Sequence, residues 1–144
     1  MTERTFFIVK PDAMKAAALG KILAMIEGSG LKIVAGRVTK LEPSQAERFY
    51  AVHKARPFFP DLVKFMSEGP VFVGVLEGEN AIVRWRELMG PTDSKKAPKG
   101  TVRGEFGTDV ERNAVHGSDA AATARAEIAF FFPGLDLPGA TASA

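Results

Sequence analysis

Hydrophobic and polar positions divide the chain into short segments of two periods. Thr5-Phe6-Phe7-Ile8-Val9 is a continuous apolar run rich in aromatic and β-branched residues. It predicts a buried strand that ends at Lys10-Pro11, because proline cannot continue a central ladder. Leu19, Ile22, Leu23 and Ile26 recur at helical spacing, and Gly28-Ser29-Gly30 stops the helix predicted over 19–27. Residues 31–41 read as a second strand. Pro43-Ser44 opens a helix carrying Phe49 and Tyr50, and 61–66 form a short helix after Pro60. Residues 71–76, Val-Phe-Val-Gly-Val-Leu, lack polar alternation and predict a strand buried on both faces. A helix follows over 79–89. The last predicted helix, 120–132, has Ser118-Asp119 as its N-cap and Ile128, Phe131 and Phe132 as apolar anchors.

Strands and helices therefore alternate, with no internal repeat and no change of composition along the chain. At 144 residues this predicts a single domain over 1–144, an α+β sandwich with helices on an antiparallel or mixed sheet. Residues 138–144 are small and polar and read as a loose tail. Residues 90–104 have no hydrophobic period and carry Lys95, Lys96, Lys99 and Arg103 against the single acid Asp93. Structureless stretches of this length are uncommon in compact domains. Composition alone supports both an anion-binding loop and a solvated surface loop.

Composition then narrows the chemistry. The chain has no cysteine and two histidines, His53 and His116. Disulfides, zinc ribbons, iron–sulfur sites, cysteine nucleophiles and three-histidine zinc sites are excluded, and a metal would need oxygen ligands, as magnesium does. The net charge of +2 is far from the strong excess of a typical DNA-binding domain. No signal-peptide pattern or membrane-length apolar run is present, so the expected location is cytoplasmic. P-loop, Rossmann, protein-kinase and serine-hydrolase motifs are all missing.

Each histidine has a plain reading and a chemical one. His53 has no glycine or acid beside it and reads as structural or exposed. His116 precedes Gly117-Ser118-Asp119: the glycine leaves room for a substrate, and the serine and aspartate offer polar groups or a helix cap. Imidazole is the side chain best able to present a neutral lone pair near pH 7. Taken alone, a histidine packed at a strand end is the commoner case.

The motifs together resemble the nucleoside diphosphate kinase family. The matching stretches are Glu3-Arg4-Thr5, Ile8-Val9-Lys10-Pro11-Asp12, Phe49-Tyr50, Arg56-Pro57-Phe58-Phe59, Gly69-Pro70-Val71, Leu76-Glu77-Gly78-Glu79-Asn80-Ala81, Gly100-Thr101-Val102-Arg103 and Asn113-Ala114-Val115-His116-Gly117-Ser118-Asp119, in family order. The resemblance implies a ferredoxin-like βαββαβ sandwich, a four-stranded antiparallel sheet covered by helices, with an extra nucleotide-binding loop and a last core strand near 115–118. It implies transfer of the γ-phosphate of ATP or another nucleoside triphosphate to a nucleoside diphosphate, balancing nucleotide pools. The route is ping-pong, through a phosphohistidine at His116.

By the same resemblance, Arg86, Thr92 and Arg103 match phosphate ligands, Lys10 the lysine serving phosphates and ribose, Asn113 the sugar contact and Phe58 the base-stacking ring. Tyr50 and Ser118 match residues lining the phosphohistidine pocket, and Glu127 the acid that orients the imidazole. Asp119 matches a residue near a Mg²⁺ ion that rides on the nucleotide. A homo-oligomer, tetramer or hexamer, is implied, with nucleic acid at most a side activity. Pro91-Thr92-Asp93-Ser94 departs from the commonest family pattern at Ser94, where proline is usual.

Overall fold

The computed structural model describes residues 2–134; the predicted tail at 138–144 lies outside them. The elements are β1 (Thr2–Val9), α1 (Pro11–Lys15), α2 (Leu19–Gly28), β2 (Lys32–Lys40), α3 (Pro43–Phe49), α4 (Phe59–Ser67), β3 (Pro70–Glu79), α5 (Ala81–Met89), α6 (Val102–Phe106), β4 (Val115–Gly117) and α7 (Ala121–Phe131). Four strands form one sheet in the order β2-β3-β1-β4. Every adjacent pair is antiparallel, as the α+β expectation requires.

Strand alternation sorts the core into two layers. Phe6 and Ile8 of β1, with Val71, Val73 and Val75 of β3, pack against α3, α4 and α7. Phe7 and Val9, with Leu76, face the other way, onto Ile22 and Ile26 of α2 and Ala81, Trp85 and Met89 of α5. The run in β1 shows no polar alternation because both faces of that central strand are covered. Among the described residues no helix is long and apolar enough to cross a membrane.

Three local expectations need correction, and one helix carries no sequence signal. Glu79 ends β3, paired with Thr2, so the helix predicted from 79 starts at Ala81 after Asn80, at φ +50°; asparagine tolerates that left-handed geometry. The Glu3 carboxylate accepts the Ile82 N–H at that helix start (2.9 Å). Ser118-Asp119 does not cap the last helix: the N-cap is Ala120, with no side-chain bond, and the Ser118 hydroxyl is used elsewhere. Residues 90–104 are not wholly irregular. They hold a 3₁₀ turn at Ser94–Lys96 and the start of α6, whose N-cap Thr101 accepts the Gly104 N–H. Lys95, Lys96 and Lys99 are exposed, but Ser94, Val102 and Arg103 are buried. Finally, α1 has only five residues, too few to show a period.

Candidate active site

His116 sits on β4, opposite Ile8 of β1, so its side chain enters the layer bounded by α3 and α7. Three rings surround the imidazole edge-on: Phe49 at 5.4 Å, Tyr50 at 5.9 Å and Phe6 at 6.1 Å between centroids. On α7, Glu127 Oε1 lies 2.9 Å from His116 Nε2 and also accepts the Ser118 hydroxyl at 2.7 Å. A carboxylate is an acceptor, so it selects the tautomer protonated at Nε2 and leaves Nδ1 with the lone pair. The His116 carbonyl accepts the Trp85 indole N–H at 3.4 Å.

Gly117 corrects an expectation. A Cβ there would fall 2.6 Å from the Trp85 ring and 2.8 Å from Met89. The glycine admits the indole, not a substrate, and so lets β4 lie close over α5.

A second group stands at the end of β1. Lys10 is buried and donates from Nζ to Asn113 Oδ1 at 2.8 Å. The Asn113 amide donates to the Thr92 and Val110 carbonyls at 3.0 and 3.1 Å. Arg103, 8% exposed, donates to three carbonyls: Gly90 at 2.9 Å, Val115 at 2.9 Å and Asn113 at 3.3 Å. No carboxylate forms an ion pair with Lys10, Arg86 or Arg103 among the described residues. Burial, and then the Arg103 charge, lowers the Lys10 pKa to about 8. Burial, and then Arg86, lowers that of Arg103 to about 10. Asp12 and Glu111 act on Lys10 only through their charge, without a direct ion pair, and three cations held together in this way suit a multiply charged anion.

Between the two groups lies a strained turn. The Val115 N–H closes on the Asn113 carbonyl at 2.8 Å around Ala114, whose φ is +70°. This is the rare, left-handed kind of γ-turn, costing about 1–2 kcal/mol in a residue with a Cβ.

The remaining candidates spread around this centre. Tyr50 is buried with its hydroxyl unpartnered, and burial first, then the Glu127 charge, keeps the phenol protonated. Its ring leads outward to His53 at 6.4 Å and on to Phe58 at a further 5.5 Å. His53 is thus a packing residue. Phe58 is 43% exposed, with the Arg56 guanidinium 5.7 Å from its ring centre. Asp119 and Arg86 line one open cleft of about 580 Å³, with Gly90, Pro91 and Thr101. Among the described residues no cluster of acids or histidines could hold a metal by itself. A second cleft, about 430 Å³ beside Ser44, Arg48 and Lys54, contains none of the candidate residues.

The sequence profile of the nucleoside diphosphate kinase family matches residues 3–137. The chain belongs to this family. A nucleoside diphosphate kinase of Leptothrix cholodnii is 61% identical over 133 residues, covering 92% of this chain and 94% of that protein. One from Delftia acidovorans is 57% identical over 135 residues, covering 94% and 96%. Among solved structures, the Aquifex aeolicus nucleoside diphosphate kinase superposes with a TM-score of 0.92 at 50% identity, covering 95% of this chain and 99% of that one. The Halobacterium salinarum enzyme, solved in complex with CDP, gives 0.92 at 40% identity, covering 98% and 94%. By this kinship the chain is an enzyme with nucleoside diphosphate kinase activity.

Seen as a nucleoside diphosphate kinase, the chain contains site residues that sequence reasoning passed over. Trp85 holds the backbone of His116, and Phe6 and Phe49 wall its ring. Their signal was spacing: Phe6 stands two residues before Ile8, the partner of His116, and so shares its sheet face. Asp12 enters the sequence pattern only as part of the Ile8-Val9-Lys10-Pro11-Asp12 match. Its Oδ2 accepts the Ala114 N–H at 3.1 Å.

Proposed function

We propose that His116 is the phosphate carrier of this kinase and that the cation group at Lys10, Arg86 and Arg103 receives the nucleotide phosphates. The observation that carries the reading is Glu127 on Nε2, which frees Nδ1 for attack. Nδ1 bonds to the γ-phosphorus of ATP or another nucleoside triphosphate, and the bond from that phosphorus to the β,γ-bridging oxygen breaks. The diphosphate leaves with the bond's electrons. In the return step a terminal oxygen of a second nucleoside diphosphate attacks the same phosphorus, the P–N bond breaks, and the lone pair returns to Nδ1. One carrier thus splits the transfer into two similar in-line displacements.

The ring becomes cationic while it is phosphorylated, and the carboxylate of Glu127 favours that charge. The unpartnered Tyr50 hydroxyl is a donor for a phosphoryl oxygen, and Ser118 steadies Glu127. Arg103 and Arg86 face phosphate oxygens, Thr92 joins them from the neighbouring loop, and Asn113 with Lys10 serves the sugar and phosphates. Phe58 offers a face to the base. Stacking tolerates any base, which supports broad nucleotide use. Mg²⁺ would ride on the phosphates, its water shell near Asp119, and would neutralise phosphate charge. Residues 1–144 act as one domain in the cytoplasm. Assembly as a homo-oligomer, tetramer or hexamer, is supported by β2, an edge strand with Val38 57% exposed. The exposed Lys95, Lys96 and Lys99 support nucleic-acid binding only as a side activity.

The test is a chase. ATP labelled on the γ-phosphate is expected to give an acid-labile, base-stable phosphoenzyme that GDP, CDP or UDP discharges as the labelled triphosphate. Label that no diphosphate removes would overturn the reading.

The Lys10 group sets a pH dependence. Its ammonium binds phosphate only while protonated, and its pKa is lowered to about 8. In the free enzyme the proton is therefore lost as pH rises through that value, and kcat/KM is expected to fall above it by about tenfold per pH unit. Bound phosphates raise the same pKa, so kcat should stay level to higher pH. Lys10→Arg keeps its charge and should flatten the kcat/KM limb; a wild-type profile level to pH 10, or an unchanged limb in the variant, would exclude Lys10.

A further inference from the structure

We propose that Asp12 is a positioning residue for this reaction, the carboxylate that holds the strained turn at Ala114 in place. The inference rests on the site reading above, in which Asn113 and Lys10 meet the nucleotide. Asp12 lies in α1, more than a hundred residues from Ala114 in sequence, yet its Oδ2 accepts the Ala114 N–H at 3.1 Å. On the other side of the same residue, the Ala114 carbonyl accepts the Lys10 N–H at 2.8 Å. The peptide groups on both sides of Ala114 are thus pinned by the segment that leaves β1, and the third bond, Val115 N–H to Asn113 carbonyl at 2.8 Å, closes the turn.

An alanine at φ +70° persists only where its surroundings over-determine it. Ala114 is fully buried, and extended geometry there would turn its N–H away from the carboxylate and move Asn113. The other carboxylate oxygen, Oδ1, is buried with no hydrogen-bond partner. Burial raises the Asp12 pKa, opposed by the backbone N–H groups of Ala114, Ala13 and Asp12 itself and by the Lys10 charge.

The consequence is a division of effects. His116 is held independently, by the β1–β4 pairing and by Glu127. Asn113, whose side chain takes Lys10 Nζ, depends on the turn. Losing the Asp12 contact therefore disturbs nucleotide contacts more than the nucleophile.

Steady-state kinetics on the full-length protein decide it, with four variants. Asp12→Ala is expected to raise the nucleotide KM about tenfold while kcat changes by less than about threefold. Asp12→Asn keeps an oxygen acceptor for the Ala114 N–H and should restore KM to within about threefold of wild type. Glycine adopts positive φ without strain, so Asp12→Ala with Ala114→Gly should recover most of the loss. Asn113→Ala should raise KM as Asp12→Ala does. If Asp12→Ala leaves KM unchanged, or lowers kcat with no KM effect, or if neither asparagine nor the added glycine recovers it, the proposal fails. If Asp12→Ala does not fold, the comparison of Asp12→Ala/Ala114→Gly with Ala114→Gly alone replaces it: KM values within about threefold support the proposal, and a gap of tenfold or more overturns it. An unchanged KM in Asn113→Ala would instead overturn the site reading, whatever Asp12 does.

Discussion

His116→Ala is expected to take no label from γ-labelled ATP and to lose about 10⁵-fold in kcat, the scale on which removal of a covalent nucleophile acts. The loss should be chemical and not structural. The ring is on an edge strand, and β4 keeps its backbone pairing to β1 and the Trp85 contact to the residue-116 carbonyl. Glu127 keeps one partner, the Ser118 hydroxyl, so unfolding free energy should change by about 1 kcal/mol. Nucleotide affinity should survive, because Lys10, Arg103 and Asn113 are tied to one another and to main-chain carbonyls, not to the imidazole. Calorimetric titration with ATP and the label assay separate these outcomes. Acid-labile label persisting in the variant would remove His116 as the carrier.

For Arg103→Ala the expected loss in kcat is about 10²–10³-fold, as for removal of one pre-positioned charge from a phosphoryl-transfer site. Here a stability effect accompanies it. The side chain ties the loop at Gly90 to the turn at Asn113 and to β4 at Val115, and alanine leaves three carbonyls without that donor. Relief of like-charge repulsion with Lys10 and Arg86 works in the opposite direction. We expect a net loss of about 2 kcal/mol, read by denaturant unfolding. The same repulsion supplies a sign. Arg103 lowers the Lys10 pKa, so the alkaline limb of kcat/KM should move to higher pH in the variant. Arg103→Lys keeps a charge but not the planar fork that reaches three carbonyls, and should fall between wild type and alanine in kcat. A full rate in Arg103→Ala, or an alkaline limb that stays in place, would mean that the guanidinium is only a structural tie.

The strands and most helices were legible because their signals are local. Phe6 to Val9 and Val71 to Leu76 are unbroken apolar runs, and both strands are covered on two faces. Ile22 and Ile26 keep helical spacing and are fully buried. Where the sequence carries no such signal, the segment is too short or the local cue has another use. β4 has three residues and α1 five. Ser118 has the composition of a helix cap but gives its hydroxyl to Glu127. Residues 90–104 look solvated because their lysines are, while Arg103 in α6 turns inward to main-chain carbonyls that no side-chain pattern reveals.

By itself the sequence determined the chemistry available: no thiol, two imidazoles, one of them in a motif with glycine, serine and aspartate, and a loop of cations. It also determined the layers, since periods of 2 and 3.6 residues are properties of neighbouring positions. Only the tertiary structure decided which nitrogen of His116 is free, because Glu127 reaches Nε2 once α7 packs over the sheet. It likewise brought Lys10 to Asn113 across 103 positions and Asp12 to Ala114 across 102. Those meetings follow from the antiparallel pairing of β1 with β4. Hydrophobic burial of two sheet faces drives that pairing, and no local pattern of residues encodes which polar groups it sets side by side.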